Sequence, residues 1–189
     1  MQTFLPYADF AASAKALDFL RLGKQRLEAL QIDGFLDRIE RHDYFVCNKK
    51  TGKQQLLGYL KHPTVKLWIG YRGALRHYFN TVLDEWVSRG YKNTMRYLSE
   101  DVGILYPPWV GDARTHASHR SNLLRKSIEH AVRADRLMKQ GKNPARDLLI
   151  REWYLRQNWV EEPTLPYYPS MEYVDALYPE IYNCTPFKK

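Results

Sequence analysis

One stretch decides the fold class, residues 62–90, which read HPTVKLWIGYRGALRHYFNTVLDEWVSRG. Apolar and aromatic side chains recur there every three or four residues, from Val65 to Trp86, as they do on one face of an α-helix. Pro63 suits the first turn of a helix, and Gly90 suits the left-handed residue that ends one. The spacing therefore predicts one amphipathic helix from Pro63 to Gly90.

The same periodicity predicts three more helices. The first covers residues 9–31, with Asp9 as its N-cap and Gly34 as its stop. The other two cover residues 118–141 and 143–159. We expect apolar stripes at Phe10, Ala14, Leu17, Leu20, Leu27 and Leu30 in the first of these helices, and at Leu124, Ile128, Ala131 and Met138 in the second.

The segments between the helices carry turn signals. Residues 42–60 are compatible with a loop or a small hairpin, and residues 99–114 contain enough Gly and Pro to predict an ordered loop. Residues 161–189 are rich in Pro and aromatic side chains, which favours an extended arm that packs on the body. We expect an all-α fold, a compact single-domain helical bundle of residues 1–160 followed by this C-terminal arm.

Composition excludes several classes of protein. The 189 residues contain no uninterrupted apolar run long enough to span a membrane. Cys47 and Cys184 form no zinc-binding spacing and no disulfide framework. The amino-terminal residues lack the basic and apolar regions of a signal peptide. We therefore expect a cytoplasmic protein, nucleoid-associated or, if viral, in the host cytoplasm.

The net charge of +8 is concentrated in one part of the chain. Residues 114–156 hold eleven basic side chains against four acidic ones. Such a segment is typical of a surface that binds a polyanion such as DNA, or else of a solvated helical face.

A polar stripe adjoins the apolar face of the first predicted helix. Counted from Leu17, Arg21, Lys24 and Glu28 lie beside the core stripe, and Lys24 is the most inward. A lysine held near an apolar surface beside an arginine loses its proton more easily and becomes a nucleophile. Glu28 would then transfer protons. The alternative is a lysine whose methylenes cover the core while its amine pairs with Glu28.

Further residues are candidates for nucleic-acid binding. His62, before the second helix, either contacts a phosphate or caps that helix, and Trp109 either stacks on a base or packs under its loop. His116 and His119 have metal-like spacing without a third ligand, so we predict phosphate binding and no metal. The full predicted set is Arg21, Arg26, His62, Trp109, His116, His119, Arg120, Asn122, Arg125 and Lys126.

Three blocks carry a resemblance to a known family: MQTFLPYADFAASAKALDFLRLGKQRLEALQI (residues 1–32), HPTVKLWIGYRGAL with EWVSRGY (62–75 and 85–91), and PPWVGDARTHASHRSNLLRK (107–126). They resemble a bacterial and viral family related to pyrimidine-dimer DNA glycosylases, and more distantly phage endonuclease V. The resemblance implies an all-α fold, damaged DNA as partner, extrusion of a nucleotide, and Schiff-base chemistry at the sugar C1′ without a cofactor.

The resemblance also implies a second nucleophile. Endonuclease V uses the α-amine exposed by removal of its initiator methionine, with a glutamate in the first helix as its partner. Here the bulky Gln2 favours retention of Met1, so the amine of Met1 is the equivalent candidate. Gly23 or Lys24 aligns near the catalytic glutamate of that family.

Two functions remain for this chain. One is a DNA-repair enzyme of the base-excision type, a DNA glycosylase with or without AP-lyase activity that acts on a damaged or modified pyrimidine. In it, Lys24 or Met1 attacks C1′ and Glu28 handles protons. The other is a non-catalytic nucleic-acid-binding module. The oligomeric state stays open, as does a background possibility that the charge is incidental to function.

Overall fold

The computed structural model describes residues 2–100 and 103–160, together with residues 167, 169, 174, 177, 178 and 181. Within these residues the chain is mostly helical, which confirms the predicted all-α class. The elements are α1 (Phe10–Ala16), α2 (Phe19–Glu40), β1 (Phe45–Cys47), β2 (Gln54–Leu56), α3 (Pro63–Trp68), α4 (Arg72–Ser88), α5 (Ala113–Lys139) and α6 (Ala145–Leu155).

The helix predicted over residues 9–31 is two helices. Asp9 caps α1 as expected, because its Oδ1 accepts the backbone N–H of Ala12 at 2.6 Å. Asp18 then starts α2, since its Oδ1 accepts the backbone N–H groups of Leu20 at 2.8 Å and Arg21 at 3.2 Å. A second capping carboxylate inside the predicted helix thus restarts it in a new direction.

Helix α2 also runs past the predicted stop, to Glu40. A Cβ on Gly34 would meet nothing within 4 Å, so this glycine is an ordinary helical residue. The predicted apolar stripe is wrong in this helix, because Leu27 and Leu30 are exposed. Angles counted from Leu17 do not apply to a helix that begins at Phe19. The apolar residues that α2 does bury are Leu22, Ala29, Ile32, Leu36 and Ile39.

The helix predicted over residues 63–90 is likewise divided. Gly70, with φ of +81°, turns the chain between α3 and α4. Gly90, with φ of +78°, follows the end of α4 as predicted. Asp33 ties α4 to α2, because its Oδ1 accepts hydrogen bonds from the Nε atoms of Arg72 and Arg76, both at 2.8 Å. Of the predicted core residues, Val65, Trp68, Leu75, Phe79 and Val82 are buried.

Residues 42–60 form a small hairpin, which decides between the two expectations for this segment. Strands β1 and β2 are antiparallel, and Phe45 pairs with Leu56, Val46 with Gln55 and Cys47 with Gln54. The described residues of the 99–114 segment form no helix before α5, as predicted. Among the described residues, no helix is long and apolar enough to cross a membrane.

Helix α5 begins at Ala113, five residues before its predicted start, because Asp112 Oδ1 accepts the backbone N–H of Arg114 at 2.9 Å. Its predicted apolar stripe is wrong at Ile128 and Met138, which are exposed, whereas Leu124 packs against the hydrophobic core. Its buried face is mostly small or polar, because this face packs on the amino-terminal segment and must bond to its backbone. The buried residues are Thr115, His116, Ser118, His119, Ser121, Asn122, Leu123, Ser127 and Ala134.

Helix α6 packs against α5 and is shorter than predicted. Asn143 Oδ1 accepts the backbone N–H of Ala145 at 2.8 Å, so it caps from outside the helix. Ile150 and Tyr154 are buried in the core. The predicted C-terminal arm, residues 161–189, lies almost entirely outside the described residues, so its extended form and its boundary stay predictions. Of its few described residues, Val174 and Ile181 are buried.

Candidate active site

The amino-terminal segment, residues 2–7, lies between α2 and α5 and is held by its backbone. His116 donates its Nδ1–H to the carbonyl oxygen of Leu5 at 2.7 Å, because its Nε2 accepts the backbone N–H of Gly111 at 2.9 Å. His119 Nδ1 accepts the backbone N–H of Leu5 at 2.9 Å. Two imidazoles one helical turn apart therefore satisfy both polar backbone groups of Leu5.

Other members of the predicted phosphate-binding set bind the same segment. Arg120 Nη1 donates to the carbonyl oxygen of Pro6 at 2.8 Å, and Asn122 Nδ2 donates to Gln2 Oε1 at 3.0 Å. Burial lowers the pKa of His119 to about 4, so its imidazole is uncharged at neutral pH. His116, His119 and Asn122 are buried, and what they contact is the protein's own chain. Their assignment to phosphate stays a prediction that these contacts do not favour.

His62 and Trp109 take the alternative roles that the sequence left open. His62 Nδ1 accepts the backbone N–H of Thr64 at 3.1 Å and so caps α3. Trp109 is buried, with its Nε1 donating to the carbonyl oxygen of Leu67 at 3.0 Å and its ring edge-on to Trp68. A ring buried in this way offers no face to a nucleobase.

Arg26 and Arg125 lie in different surroundings. The Arg26 guanidinium stacks on the ring of Trp86 in α4, 3.7 Å from its centroid, and burial lowers its pKa. Arg125 donates to Asn122 Oδ1 at 2.8 Å and to Glu129 Oε1 at 2.9 Å on an exposed face of α5. Of these two, only Arg125 is placed to meet a phosphate from solvent.

The structure does bring four predicted residues together, around one cleft of about 180 Å³. This α2 cleft has Arg21, Lys24 and Glu28 on one side and Lys126 of α5 on the other. Three residues that the sequence did not single out complete its walls: Gln2, Phe4 and Gln25.

Gln25 joins the amino-terminal segment to the cleft. Its Oε1 accepts the backbone N–H of Phe4 at 2.9 Å, and its Nε2 donates to the carbonyl oxygen of Gln2 at 3.0 Å. The same Nε2 donates to Glu28 Oε2 at 3.2 Å. The hydroxyl of Tyr78 lies 2.8 Å from Gln25 Oε1. A side chain that is buried and bonded on both ends has one orientation, so it holds the cleft wall rigidly.

Among the described residues that line the α2 cleft, Glu28 is the only carboxylate. Its Oε2 also accepts the backbone N–H of Gln2 at 3.3 Å. In the described part of the chain, no basic side chain lies within ion-pair distance of Glu28, and Oε1 has no hydrogen-bond partner. Among the described residues, the donors that orient this carboxylate are thus neutral.

Arg21 is held by a chain of buried side chains. Its Nη1 lies 3.0 Å from Nε2 of His130, whose Nδ1 lies 2.6 Å from Oδ1 of the buried Asp147. Because a guanidinium only donates, His130 Nε2 accepts and Nδ1–H donates to Asp147. The Asp147–His130–Arg21 chain therefore sets the position of the guanidinium at the cleft.

The two lysines differ from what the sequence predicts. Lys24 is exposed, so the prediction that it is the most inward residue of the stripe is wrong, and the buried position belongs to Gln25. Lys24 makes no hydrogen bond or ion pair with a described residue, so the predicted alternative pair with Glu28 is not observed. Burial, followed by the positive charge of Arg21, lowers the pKa of Lys126.

One face of α2 carries site residues at regular intervals along the helix. Arg21, Lys24, Glu28, Gln31 and Phe35 are spaced by three and four residues in alternation, so they form one stripe along the helix. This stripe lies next to the buried face. The spacing of these residues is present in the sequence. It could be recognised as one stripe only with the correct start and length of α2.

Two further predictions concern groups outside this stripe. Met1 lies outside the described residues, so its amine stays a candidate by sequence alone. No group of three His, Cys, Asp or Glu side chains that could hold a metal ion occurs in the described ranges.

Residues 1–98, about half of the chain, match the family described as pyrimidine dimer DNA glycosylase. No curated protein and no solved structure matches. The matched residues include α1 to α4 and every residue of the α2 cleft except Lys126.

Proposed function

Since the chain belongs to the pyrimidine dimer DNA glycosylase family, we propose that the α2 cleft is the active site of a DNA glycosylase that forms a Schiff base with the sugar. Family membership supports DNA glycosylase function and DNA as the substrate. The observation that carries the finer proposal is that Glu28 lines one small cleft together with Lys24 and Lys126. The target is a damaged or modified pyrimidine.

The charges of the cleft suit a DNA strand. Arg21, Lys24 and Lys126 provide three cations around a single carboxylate, which favours a phosphodiester beside the reacting sugar. The Nε2 atom of Gln2 is buried at this wall without a partner in the described residues. A donor of this kind gains a hydrogen bond when a substrate oxygen enters, which is a differential contribution to binding.

The chemistry needs an amine and a proton carrier. The amine lone pair forms a bond to C1′ while the bond from C1′ to the pyrimidine nitrogen breaks, and the base leaves with that electron pair and takes up a proton. The amine then loses a proton and the C1′–O4′ bond opens to give the imine, with a proton delivered to O4′. Glu28 is placed to carry these protons. Water hydrolyses the imine, or loss of a C2′ proton expels the 3′ phosphate, which is the AP-lyase step.

Lys126 becomes the preferred amine of the two lysines. Its lowered pKa means that a larger fraction is neutral, and hence nucleophilic, at neutral pH. Lys24 keeps the role predicted for it only if its exposed amine turns toward C1′, and otherwise contacts phosphate. The terminal amine of Met1 remains the third candidate.

Borohydride trapping tests the proposal. The protein is incubated with duplexes that carry an abasic site, a pyrimidine dimer or an oxidised pyrimidine, and borohydride reduces any imine to a stable secondary amine. We expect a covalent adduct that maps by mass spectrometry to the peptide of Lys126, and its loss in Lys126→Ala. Lys139→Ala is the matched control, because Lys139 lies near the end of α5 and pairs with Asp135.

Each other outcome has a defined meaning. An adduct at Lys24 or at the terminal amine keeps the Schiff-base mechanism and reassigns the nucleophile. Glu28→Gln should slow base release by roughly 10²- to 10⁴-fold while leaving DNA affinity nearly unchanged. Absence of any adduct, with DNA binding that still weakens steeply as salt rises, would overturn the enzyme proposal in favour of the non-catalytic binding module.

A further inference from the structure

The hairpin carries a positive charge that the α2 cleft does not use. Residues 44–60 hold Lys49, Lys50 and Lys53 and no acidic side chain. All three lysines are exposed, and within the described part of the chain none of their amines makes an ion pair or a hydrogen bond. Three such cations at one tip form a local positive patch, which attracts a polyanion.

The hairpin tip, residues 48–53, is an ordered turn. The backbone N–H of Asn48 donates to the carbonyl oxygen of Lys53, and the backbone N–H of Gly52 donates to the carbonyl oxygen of Asn48, both at 2.8 Å. Asn48 Oδ1 also accepts the backbone N–H of Lys50 at 2.9 Å. Gly52, with φ of +66°, lets the chain reverse. The backbone therefore fixes the positions from which the three lysines extend.

The base of the hairpin is anchored in the core. Tyr44 before β1 and Leu60 after β2 are buried. The backbone N–H of Leu57 donates to the carbonyl oxygen of Tyr44 at 2.8 Å. Phe45 and Leu56, which pair across the two strands, pack against the core. The hairpin is therefore a firm support that holds its exposed tip in one place.

The end of the hairpin joins the side of α2 that carries the α2 cleft. Tyr59, in the loop after β2, packs against Phe35, with ring centroids 6.1 Å apart. Phe35 belongs to the same stripe of α2 as Lys24 and Glu28. From Glu28 to its end at Glu40, α2 rises by about 18 Å. This is the length of about five base pairs at roughly 3.4 Å each, so a duplex held at the cleft is long enough to reach the hairpin.

We propose that the hairpin is a second DNA-binding element, which enters the major groove on one side of the lesion and places Lys49, Lys50 and Lys53 on phosphates that border it. This inference rests on the proposed function, because the duplex is the one held at the α2 cleft. A two-stranded ribbon fits the major groove, which is about 12 Å wide. Phosphate contacts fix position and affinity without reading sequence. The hairpin therefore binds undamaged duplex, roughly five base pairs or more from the reacting nucleotide.

Binding at several salt concentrations tests the number of contacts. The duplex carries a tetrahydrofuran analogue of an abasic site, which cannot form an imine. Each phosphate contact contributes about 0.9 to the slope of log K against log salt concentration. The hairpin variant, which combines Lys49→Ala, Lys50→Ala and Lys53→Ala, should therefore reduce the magnitude of this slope by roughly 2–3. An unchanged slope overturns the proposal.

A second triple variant controls for net charge. Lys15→Ala, Lys92→Ala and Lys142→Ala together remove the same charge from three exposed lysines outside the hairpin, whose amines also have no partner in the described ranges. We expect this control variant to change the slope by less than the hairpin variant does. An equal change in both variants would mean that only the total charge matters, which contradicts a specific role for the hairpin.

Ethylation interference locates the contacts. Phosphates of the same duplex are ethylated at random, and the positions that weaken binding are mapped. We expect wild type to show interference roughly five base pairs or more from the lesion on one side, and the hairpin variant to lose it there while keeping it at the lesion. The same pattern in both proteins overturns the proposal.

Methylation interference identifies the groove. Dimethyl sulfate methylates N7 of guanine, which faces the major groove, and N3 of adenine, which faces the minor groove. Guanine methylation at the base pairs beside those phosphates should weaken binding by wild type and not by the hairpin variant. Interference by adenine methylation alone contradicts placement of the hairpin in the major groove.

The two proposals fail separately. If borohydride traps no adduct while the hairpin variant loses the flanking interference, the hairpin contact stands and the Schiff-base mechanism is wrong. If an adduct forms on an abasic duplex while wild type and hairpin variant bind alike, the mechanism stands and the hairpin is not a DNA contact.

Discussion

Leu5 shows how one residue can anchor a segment that carries part of the site. Its backbone N–H donates to Nδ1 of His119 and its carbonyl accepts from Nδ1 of His116, so His119 must stay neutral in the fold. Gln25 binds the adjacent Phe4 from the opposite helix. The position of Gln2 at the α2 cleft therefore depends on histidines that the sequence assigned to phosphate.

The neutral state of His119 makes stability depend on pH. Its pKa is about 4 in the fold and near 6.5 when unfolded, so below pH 6.5 the unfolded chain binds more protons. The free energy of unfolding should therefore fall by roughly 3 kcal/mol as the pH drops from 6.5 to 4. Urea denaturation followed by tryptophan fluorescence at several pH values measures this slope.

His119→Gln should flatten the dependence of the free energy of unfolding on pH, whereas His77→Gln, which removes a partly exposed histidine, should not. Equal slopes in wild type and His119→Gln would contradict this explanation.

Two glycines in stretches with helical periodicity have opposite effects on the backbone. Gly34 lies inside α2 in open space, whereas Gly70 turns the chain before α4 with φ of +81°. The first is a cost in backbone entropy, and the second is a requirement of the turn. Helix boundaries therefore could not be read from the presence of a glycine alone.

An alanine at each of these positions should act in opposite directions. Gly34→Ala should raise the free energy of unfolding by about 0.5–1 kcal/mol, because alanine favours the helix and its Cβ meets no atom. Gly70→Ala should lower it by about 1–2 kcal/mol, because the left-handed conformation strains a Cβ. Thermal denaturation of both variants and of the wild type measures these two changes in stability. A stabilising Gly70→Ala would mean that the turn relaxes to another conformation.

Over the whole molecule, Asp147 connects three helices. It lies on α6, accepts from His130 of α5, and through that imidazole positions Arg21 of α2. The side chain of Arg133 also approaches it, with Nε at 3.6 Å from Oδ2. One buried carboxylate thus pairs with Arg133, accepts from His130 and, through that imidazole, fixes a cation of the α2 cleft.

Neutralising Asp147 should be costly in a way that a surface carboxylate is not. Asp147→Asn should lower the free energy of unfolding by about 1.5–3 kcal/mol, because the His130 imidazole loses its charged acceptor and no longer positions Arg21. Asp135→Asn, which breaks an exposed pair with Lys139, should cost less than about 1 kcal/mol. Chemical denaturation of the two variants measures both changes in the free energy of unfolding. Equal effects would show that the Asp147–His130–Arg21 chain contributes no more than a surface pair.

The sequence by itself determined the helical class, the Asp9 cap, the end of α4 at Gly90 and the polar residues of the α2 stripe. These features depend on neighbours within one or two helical turns, and local periodicity carries them. The sequence also carried the family resemblance, which the family match over residues 1–98 confirmed, with the first two of its three blocks inside that range.

Only the tertiary structure decided which face of each helix is buried and which residues meet. Lys126 of the distant α5 lines the same cleft as Glu28, and Tyr59 of a loop meets Phe35 of α2. Polar groups of α5 are buried because the amino-terminal segment supplies their partners. The physical reason is that burial depends on what packs against a side chain, and those partners are far away in sequence.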